Sequence, residues 1–465
     1  MMLKLDFSKR YDVNYLVKVV NVNEFHDHPG ADALKIVKVD GFSVIVGKNE
    51  ECGTYLYFPT NCEVNPELLA YAGLYRKNGL NKNPEVSGFF EENGRVKAIK
   101  LRGEVSEGFL LPIQVFKNFC IDNVNQEPEG LEDGKEFDVV KGDEDKSFWI
   151  VKKYIPKGSR RRQRSGTAEG PSNVRYKVPK RLKKIIDTQF RFHYQTVLIK
   201  KCPHVISPSD WISITKKVDG TSGVSAYVLC KRDLTWWEKG LKWVGLMKED
   251  PLVYDYVYSS RTVIKNPYYN PGGQRSFYGE VGGDVWKYAD EYLRPFLEKG
   301  MTFYYEIVGF LPNGKFIQKN NDFGMTKPAE GGEYIHGKHF RTLIYRITLT
   351  NADGIVHEFS PHEVQVWCKE KGLEPVHCFY EGYAKDLYPD LKPEEHWTEN
   401  FMARLAADKN FNMEELEPEC KCEVPAEGIV IKKDNLKSEA FKLKTFYHLN
   451  RKQMLLDKGE TDIEA

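Results

Sequence analysis

At 465 residues the chain is too long for one ordinary hydrophobic core and predicts about two to three domains. Its 68 basic and 67 acidic residues nearly cancel to a formal net charge of +1, so a nucleic-acid partner would need a local basic surface. Nine cysteines, irregularly spaced and odd in number, exclude a disulfide framework and fit reduced thiols, while no apolar run reaches the ~18 residues of a membrane span.

The opening MMLKLDFSKRYDV lacks the apolar core of a signal peptide, so an intracellular, cytoplasmic protein without a membrane partner is expected. Residues 1–150 predict a β-rich domain. LVKVVNV, ALKIVKV, FSVIVG and RVKAIKL are short β-branched runs separated by turn-rich segments such as HPGAD and EENG. Short strands at this spacing favour a barrel or sandwich. The stretch Val22–Gly41 resembles the opening of the OB-fold module of the phenylalanyl-tRNA synthetase β subunit, which implies an OB-like β-barrel. His26 and His28, in HDHP, are read as lining a turn, with metal ligation the alternative.

Residues 151–184 change composition sharply. Arg160, Arg161 and Arg162 sit in KGSRRRQRSGTAEGPSN, a stretch rich in Gly, Ser and Arg and poor in apolar residues. It reads as a flexible basic linker whose cations contact RNA phosphates without reading sequence. Residues 185–465 predict one α+β domain. WISITKKV, TFYYEIVGF, TLIYRITLT and EGIVIKK are strand-like. Ser360, Pro361 and Glu363 supply an N-cap, a favoured first residue and a capping-box acid for a helix ending near Gly372. PEEHWTENFMARLAADK predicts another helix. Cys420 and Cys422 form C-x-C without a downstream Cys/His pair, a weak zinc signal.

The chemistry centres on Lys217-Val218-Asp219-Gly220. A strand-like run delivers the lysine, and glycine permits a tight turn beside it. Alone, this tetrapeptide is common by chance. It is followed in order by Ser260-Arg261, Glu306 in FYYEIVG, Tyr345 in LIYRI, Glu427 in EGIVIKK, and Lys442 and Lys444 in FKLK. A free lysine has a pKa near ~10.4 and is protonated at neutral pH, so it attacks phosphorus only after losing that proton. Burial and neighbouring cations favour the neutral amine, and the same cations neutralise a departing pyrophosphate.

This order and spacing resemble the motifs of the covalent nucleotidyltransferases, the polynucleotide ligases and mRNA capping enzymes, over most of residues 190–446. The resemblance implies antiparallel sheets with flanking helices, and roles for each residue. Lys217 would become lysyl-AMP, with Lys442 and Lys444 assisting at the phosphates. Asp219 and Gly220 would contact the nucleotide, and Gly220 and Thr221 would shape the loop near it. Glu306 would bind the ribose and Arg261 the ribose or phosphates. Tyr345, or else Phe340, would stack on adenine. Glu427 would hold Mg2+ or Mn2+ through water. His193 and Thr196, in a segment similar to one preceding the lysine motif in RNA ligases, receive no catalytic role.

About twenty residues follow Lys444, too few for the C-terminal OB domain of DNA ligases and capping enzymes. The arrangement is similar instead to RNA ligases with an N-terminal OB module and a minimal ligase domain. KAIKLRGEVSEGFLLPI also resembles that module, with Arg102 and Glu107 as candidate RNA or interdomain contacts. The resemblance implies an ATP-dependent RNA ligase that seals nicks with a ribonucleotide 3′-OH side, in RNA repair, with no obligate protein partner. Lys216 beside the nucleophile, and arginine after the aromatic in LIYRI, depart from relatives and bear on substrate preference. A DNA ligase, a capping-type enzyme or an inactive RNA-binding protein are the alternatives.

Overall fold

Alternate burial makes strands of the N-terminal β-branched runs. In Val17–Val22 the odd-numbered Val17 and Val19 enter one core while Val20 and Val22 enter another. Its neighbour Gly53–Phe58 divides the same way, Leu56 and Phe58 against Tyr55 and Tyr57. A strand apolar on both faces belongs inside a sheet covered on both sides. The computed structural model places these two centrally in an antiparallel sheet, flanked by Phe109–Pro112 and Glu136–Phe137. It describes residues 3–9, 11–142, 147–156, 182–247, 251–270, 283–392, 396–434 and 439–459.

The chain divides into two units. The first contains that sheet, a second four-stranded sheet around Leu3–Asp6, and a three-stranded one formed by His26–Asp27, Leu34–Val39 and Phe42–Gly47. Strand pairing among the described residues closes no barrel, so the observed architecture is a set of small sheets around two cores. His28 uses both ring nitrogens in its turn. Nε2 lies 3.0 Å from the carbonyl of Leu101, and Nδ1 accepts from Gly30 N–H at 3.0 Å.

This unit also takes in Val197–Val205 and the described residues from Leu449 to Gly459, segments that the sequence reading placed in the later domain. Polar contacts explain why. Lys200 pairs with Glu107 at 2.6 Å, and Gln453 bonds both the N–H and the carbonyl of Ala98, at 2.6 and 2.9 Å. Asp457 meets the buried Arg95 guanidinium at 2.9 Å.

The second unit is built on two antiparallel sheets. One carries Leu252–Ser260 and Met301–Gly309 on either side of Thr221–Lys231, then Phe340–Thr350 and Val356–Glu358. The other runs Cys378–Tyr383, Trp211–Lys217, Gly428–Lys433, Glu439–Lys444. The first packs Phe303, Tyr305 and Ile307 against helix Val285–Leu293 and helix Pro361–Lys371. The latter has the predicted ends: Ser360 and Glu363 form a reciprocal capping box, and Gly372 closes the helix at φ 68°. The helix predicted from PEEHWTENFMARLAADK is described over Trp397–Ala407. The α+β expectation, with antiparallel sheets and flanking helices, describes this unit.

Candidate active site

Register brings the lysines together. Lys217 pairs with Gly428, which pairs with Lys444; two residues along, Thr215 pairs with Val430 and Val430 with Lys442. Paired residues share a face, so Lys217, Lys442 and Lys444 project from the same side of the sheet. Gly428 makes this possible. Its φ is 137°, and a Cβ there would collide with the carbonyl of Leu443.

After Lys217 the chain turns through Val218, Asp219 and Gly220 into Thr221–Lys231. A Cβ on Gly220 would lie 2.6 Å from the carbonyl of Ile307, so only glycine lets this loop rest on the strand that carries Glu306. Two side chains hold the loop from outside. Gln318 Nε2 donates to the Gly220 carbonyl at 2.8 Å, and Asn321 Nδ2 donates to the Asp219 carboxylate at 2.8 Å.

Glu427 is buried and faces three cationic or basic groups. Lys444 Nζ is 2.8 Å from Oε1, Lys217 Nζ is 3.0 Å from Oε2, and His448 Nε2 is 3.8 Å from Oε1. Glu306 stands opposite Ser222 in the sheet register and accepts from its hydroxyl at 2.9 Å. Tyr345 sits where the pairing of Met301–Gly309 with Phe340–Thr350 slips by a bulge. Its hydroxyl lies 2.9 Å from His193 Nδ1 and 3.4 Å from Ser222 Oγ. Burial, then the Glu306 charge, pushes the phenol pKa up, so it stays neutral.

A cavity of about 80 Å³ opens between the two sheets. Lys217, Arg261, Glu306, Tyr345 and Lys442 line it. Asp219, Gly220, Glu427 and Lys444 lie outside its wall; Glu427 and Lys444 connect to it through the Lys217 ion pair. Phe340 is buried in the core, stacked on Tyr334 at 4.6 Å, which leaves Tyr345 as the aromatic of the two that lines the cavity. Lys216 also borders the cavity, but its ammonium is buried and paired with Glu417 and, at 2.5 Å, with Glu419.

Ser222 and Lys432 line the cavity without having been singled out in the sequence, while His193 and Arg346 had been noted without a role. Ser222 bonds Glu306, and His193 bonds Tyr345. Arg346, the departure in LIYRI, pairs with Glu358 at 2.6 Å and lies over the rings of Tyr194 and Tyr304. Lys432, within EGIVIKK, lines the cavity with its pKa pushed down to about 8 by burial, against the pull of Glu358. Arg160, Arg161 and Arg162 lie outside the described residues. Arg102 is exposed at the turn between Ala98–Leu101 and Glu104–Glu107, in the left-handed region at φ 46°.

A divalent cation can be tested against the donors present. Asp219, Glu427 and His448 are buried, and each offers a ligand atom within 4.8 Å of the others. Two carboxylates and an imidazole fit Mg2+ or Mn2+, the imidazole favouring the latter. Among the described residues this is the one such group, and neither Cys420 nor Cys422 belongs to it.

An RNA ligase mutant from Naegleria gruberi, solved with AMP and Mn, superposes with a TM-score of 0.52 at 14% identity, covering 94% of this chain and 98% of that one. A second mutant of that ligase, with ATP and Mn, gives 0.50 at 14% identity over the same shares. The chain has the fold of an RNA ligase. At this identity the likeness concerns the fold, and the site rests on its own geometry. No family profile matches the chain, and no curated protein does.

Proposed function

We propose that the chain is an ATP-dependent RNA ligase working through lysyl-AMP at Lys217. The observation that carries this reading is the Lys217–Glu427–Lys444 bridge at the wall of a cavity that also presents Glu306, Arg261 and Lys442. The ligase fold, and the AMP, ATP and Mn in the Naegleria structures, support it.

Three steps follow from the chemistry. ATP enters with its ribose toward Glu306, whose orientation Ser222 fixes, and its phosphates among Lys442, Lys432 and Arg261. Lys217 gives up its proton, and its amine attacks the α-phosphorus; a P–N bond forms as the bond to pyrophosphate breaks. A 5′-phosphate oxygen next attacks the same phosphorus, and the lysine amine leaves as AMP passes to the RNA end. Finally a 3′-hydroxyl attacks the activated 5′-phosphate, and AMP departs with the bonding electrons. A divalent cation held by Asp219, Glu427 and His448, directly or through water, would screen phosphate charge.

The finer reading is that residues 1–150 form an OB-like RNA-binding domain, residues 151–184 a basic linker and residues 185–465 the nucleotidyltransferase. The substrate would be a nicked duplex with a ribonucleotide at the 3′-OH, recognised by A-form shape and 2′-hydroxyls in RNA repair. Arg102 and the Arg160–Arg162 run would contact its backbone.

The test incubates the protein with ATP labelled at the α-phosphate and Mg2+ or Mn2+. Label should survive denaturation on the wild type and be absent from Lys217→Ala. Label from GTP instead would favour a capping-type enzyme, and equal sealing of deoxy-terminated nicks would favour a DNA ligase. No adduct with either nucleotide, after pyrophosphate treatment, would leave an RNA-binding protein with an inactive site.

A further inference from the structure

The hairpin formed by Thr221–Lys231 and Leu252–Ser260 carries a second surface at its far end. Its ladder runs from Gly223 opposite Ser260 to Lys231 opposite Leu252, which puts the tip roughly 27 Å from the cavity end at about 3.4 Å per residue. Helix Trp236–Trp243 occupies that tip. Thr235 and Glu238 form a capping box at its start, and Arg232 grips both oxygens of Glu238 at 2.8 and 2.5 Å. The helix is therefore fixed at its root.

Its apolar residues point outward. Trp236 is 66% exposed, Trp237 67%, Trp243 88% and Leu246 77%, with Leu241 and Val244 also exposed. At 100° per residue, Trp236, Trp237, Leu241, Trp243 and Val244 fall within one arc of roughly 160°. Apolar side chains massed on one exposed face mark an interaction surface. Exposed Lys239 borders this arc, exposed Lys242 lies opposite, and the one acid of the helix is neutralised by Arg232.

We propose that this helix docks the protein on an anionic lipid surface, lying in the plane of the headgroups. Tryptophan and leucine on one side with lysine on the other is the pattern of an interfacial helix. Exposed Lys239, at the edge of the apolar arc, complements the headgroup charge. RNA fits less well, because Leu241 and Val244 share the face with the tryptophans and the cations lie off it. Two turns bury little area, so binding is reversible and weakened by salt.

The experiment is sedimentation of the full chain with vesicles of phosphatidylcholine, alone or with phosphatidylserine, and tryptophan emission read on the same samples. The expected result is co-sedimentation and a blue shift with phosphatidylserine vesicles, and weaker binding to phosphatidylcholine. A Trp236→Ser/Trp237→Ser/Trp243→Ser variant should lose about tenfold or more of the bound fraction. Lys239→Glu/Lys242→Glu should lose the preference for the anionic lipid. Both variants should form lysyl-adenylate at the wild-type rate, so failure of the ligase reading would be seen separately. The proposal is overturned if the wild type stays in the supernatant with both vesicles or the tryptophan variant sediments equally. It is also overturned if light scattering shows that the face joins two copies of the chain, or if RNA, and not lipid, shifts the emission.

Discussion

Lys217 Nζ stands 3.0 Å from Glu427 Oε2, and the carboxylate is buried while the ammonium borders the cavity. The glutamate thus bridges two lysines, with Lys444 on the other oxygen at 2.8 Å. On the proposed lysyl-adenylate mechanism, the carboxylate would change partners before the amine reacts. A cation at Asp219, Glu427 and His448 competes with the lysines for the same oxygens, which would couple cation binding to release of the amine.

Glu427→Gln keeps the shape and removes the charge. Lysyl-adenylate formation should fall about a hundred- to a thousandfold, the scale of one preorganised polar group at a reacting centre. Mn2+ affinity, read by electron paramagnetic resonance, should fall with it. A variant that keeps both the wild-type adenylation rate and the wild-type Mn2+ affinity would remove Glu427 from the site chemistry.

Ser222 and His193 make a second, subtler prediction. Ser222 spends its proton on Glu306, and the Tyr345 hydroxyl lies between Ser222 and His193. A hydrogen bond to a charged group contributes about 1.5–3 kcal/mol. Ser222→Ala should therefore weaken ATP binding by about ten- to a hundredfold. It should also narrow the difference between ATP and 2′-deoxy-ATP, since Glu306 would no longer be held. Ser222→Thr should restore both. Weaker binding with unchanged discrimination would mean that Ser222 supports the fold only.

What the sequence disclosed, and what it withheld, follows from how far apart the interacting residues lie. Helix Pro361–Lys371 was legible because Ser360, Glu363 and Gly372 act on their own neighbours. The strands bearing Lys217 and Glu306, and the one that begins just after Glu427, were legible by β-branched and aromatic content. The Trp236–Trp243 helix was not read from the sequence, and its outward tryptophans break the usual pattern of an apolar face turned to the core. Gln318, Asn321 and His448 were hidden. Gln318 and Asn321 reach the nucleophile loop across about a hundred positions of chain, and such contacts leave no periodic trace. The N-terminal strands were visible too, yet their distribution among several small sheets was not, because each is short and pairs across irregular connections.

Gly428 tests the register argument. Its φ of 137° is strained for any other residue, and a side chain there would strike the Leu443 carbonyl. Gly428→Ala should cost about 2–3 kcal/mol and lower the melting temperature by several degrees. More tellingly, it should part Lys444 from Lys217 and so depress adenylation further than the stability loss explains. Activity and melting measured on one sample separate the two effects. An alanine variant with wild-type melting and activity would contradict the described pairing.

Lys432 gives the site a pH dependence whose sign can be worked out. Burial lowers its pKa from 10.5 to about 8. Between those values the unfolded chain holds a proton that the folded chain has released. Stability from this group therefore rises with pH across that window and is smallest below about pH 8. Binding runs the other way. Phosphates favour the ammonium form, so ATP should take up a proton as it binds near pH 8 and above, and its affinity should fall as pH climbs through about 8. Calorimetric titration of ATP in buffers of different ionisation enthalpy measures that uptake directly. Lys432→Met should abolish it, weaken ATP binding below pH 8, and raise the melting temperature there, because a buried charge has been replaced by an apolar chain. Proton uptake that persists in Lys432→Met would assign the titration to another group.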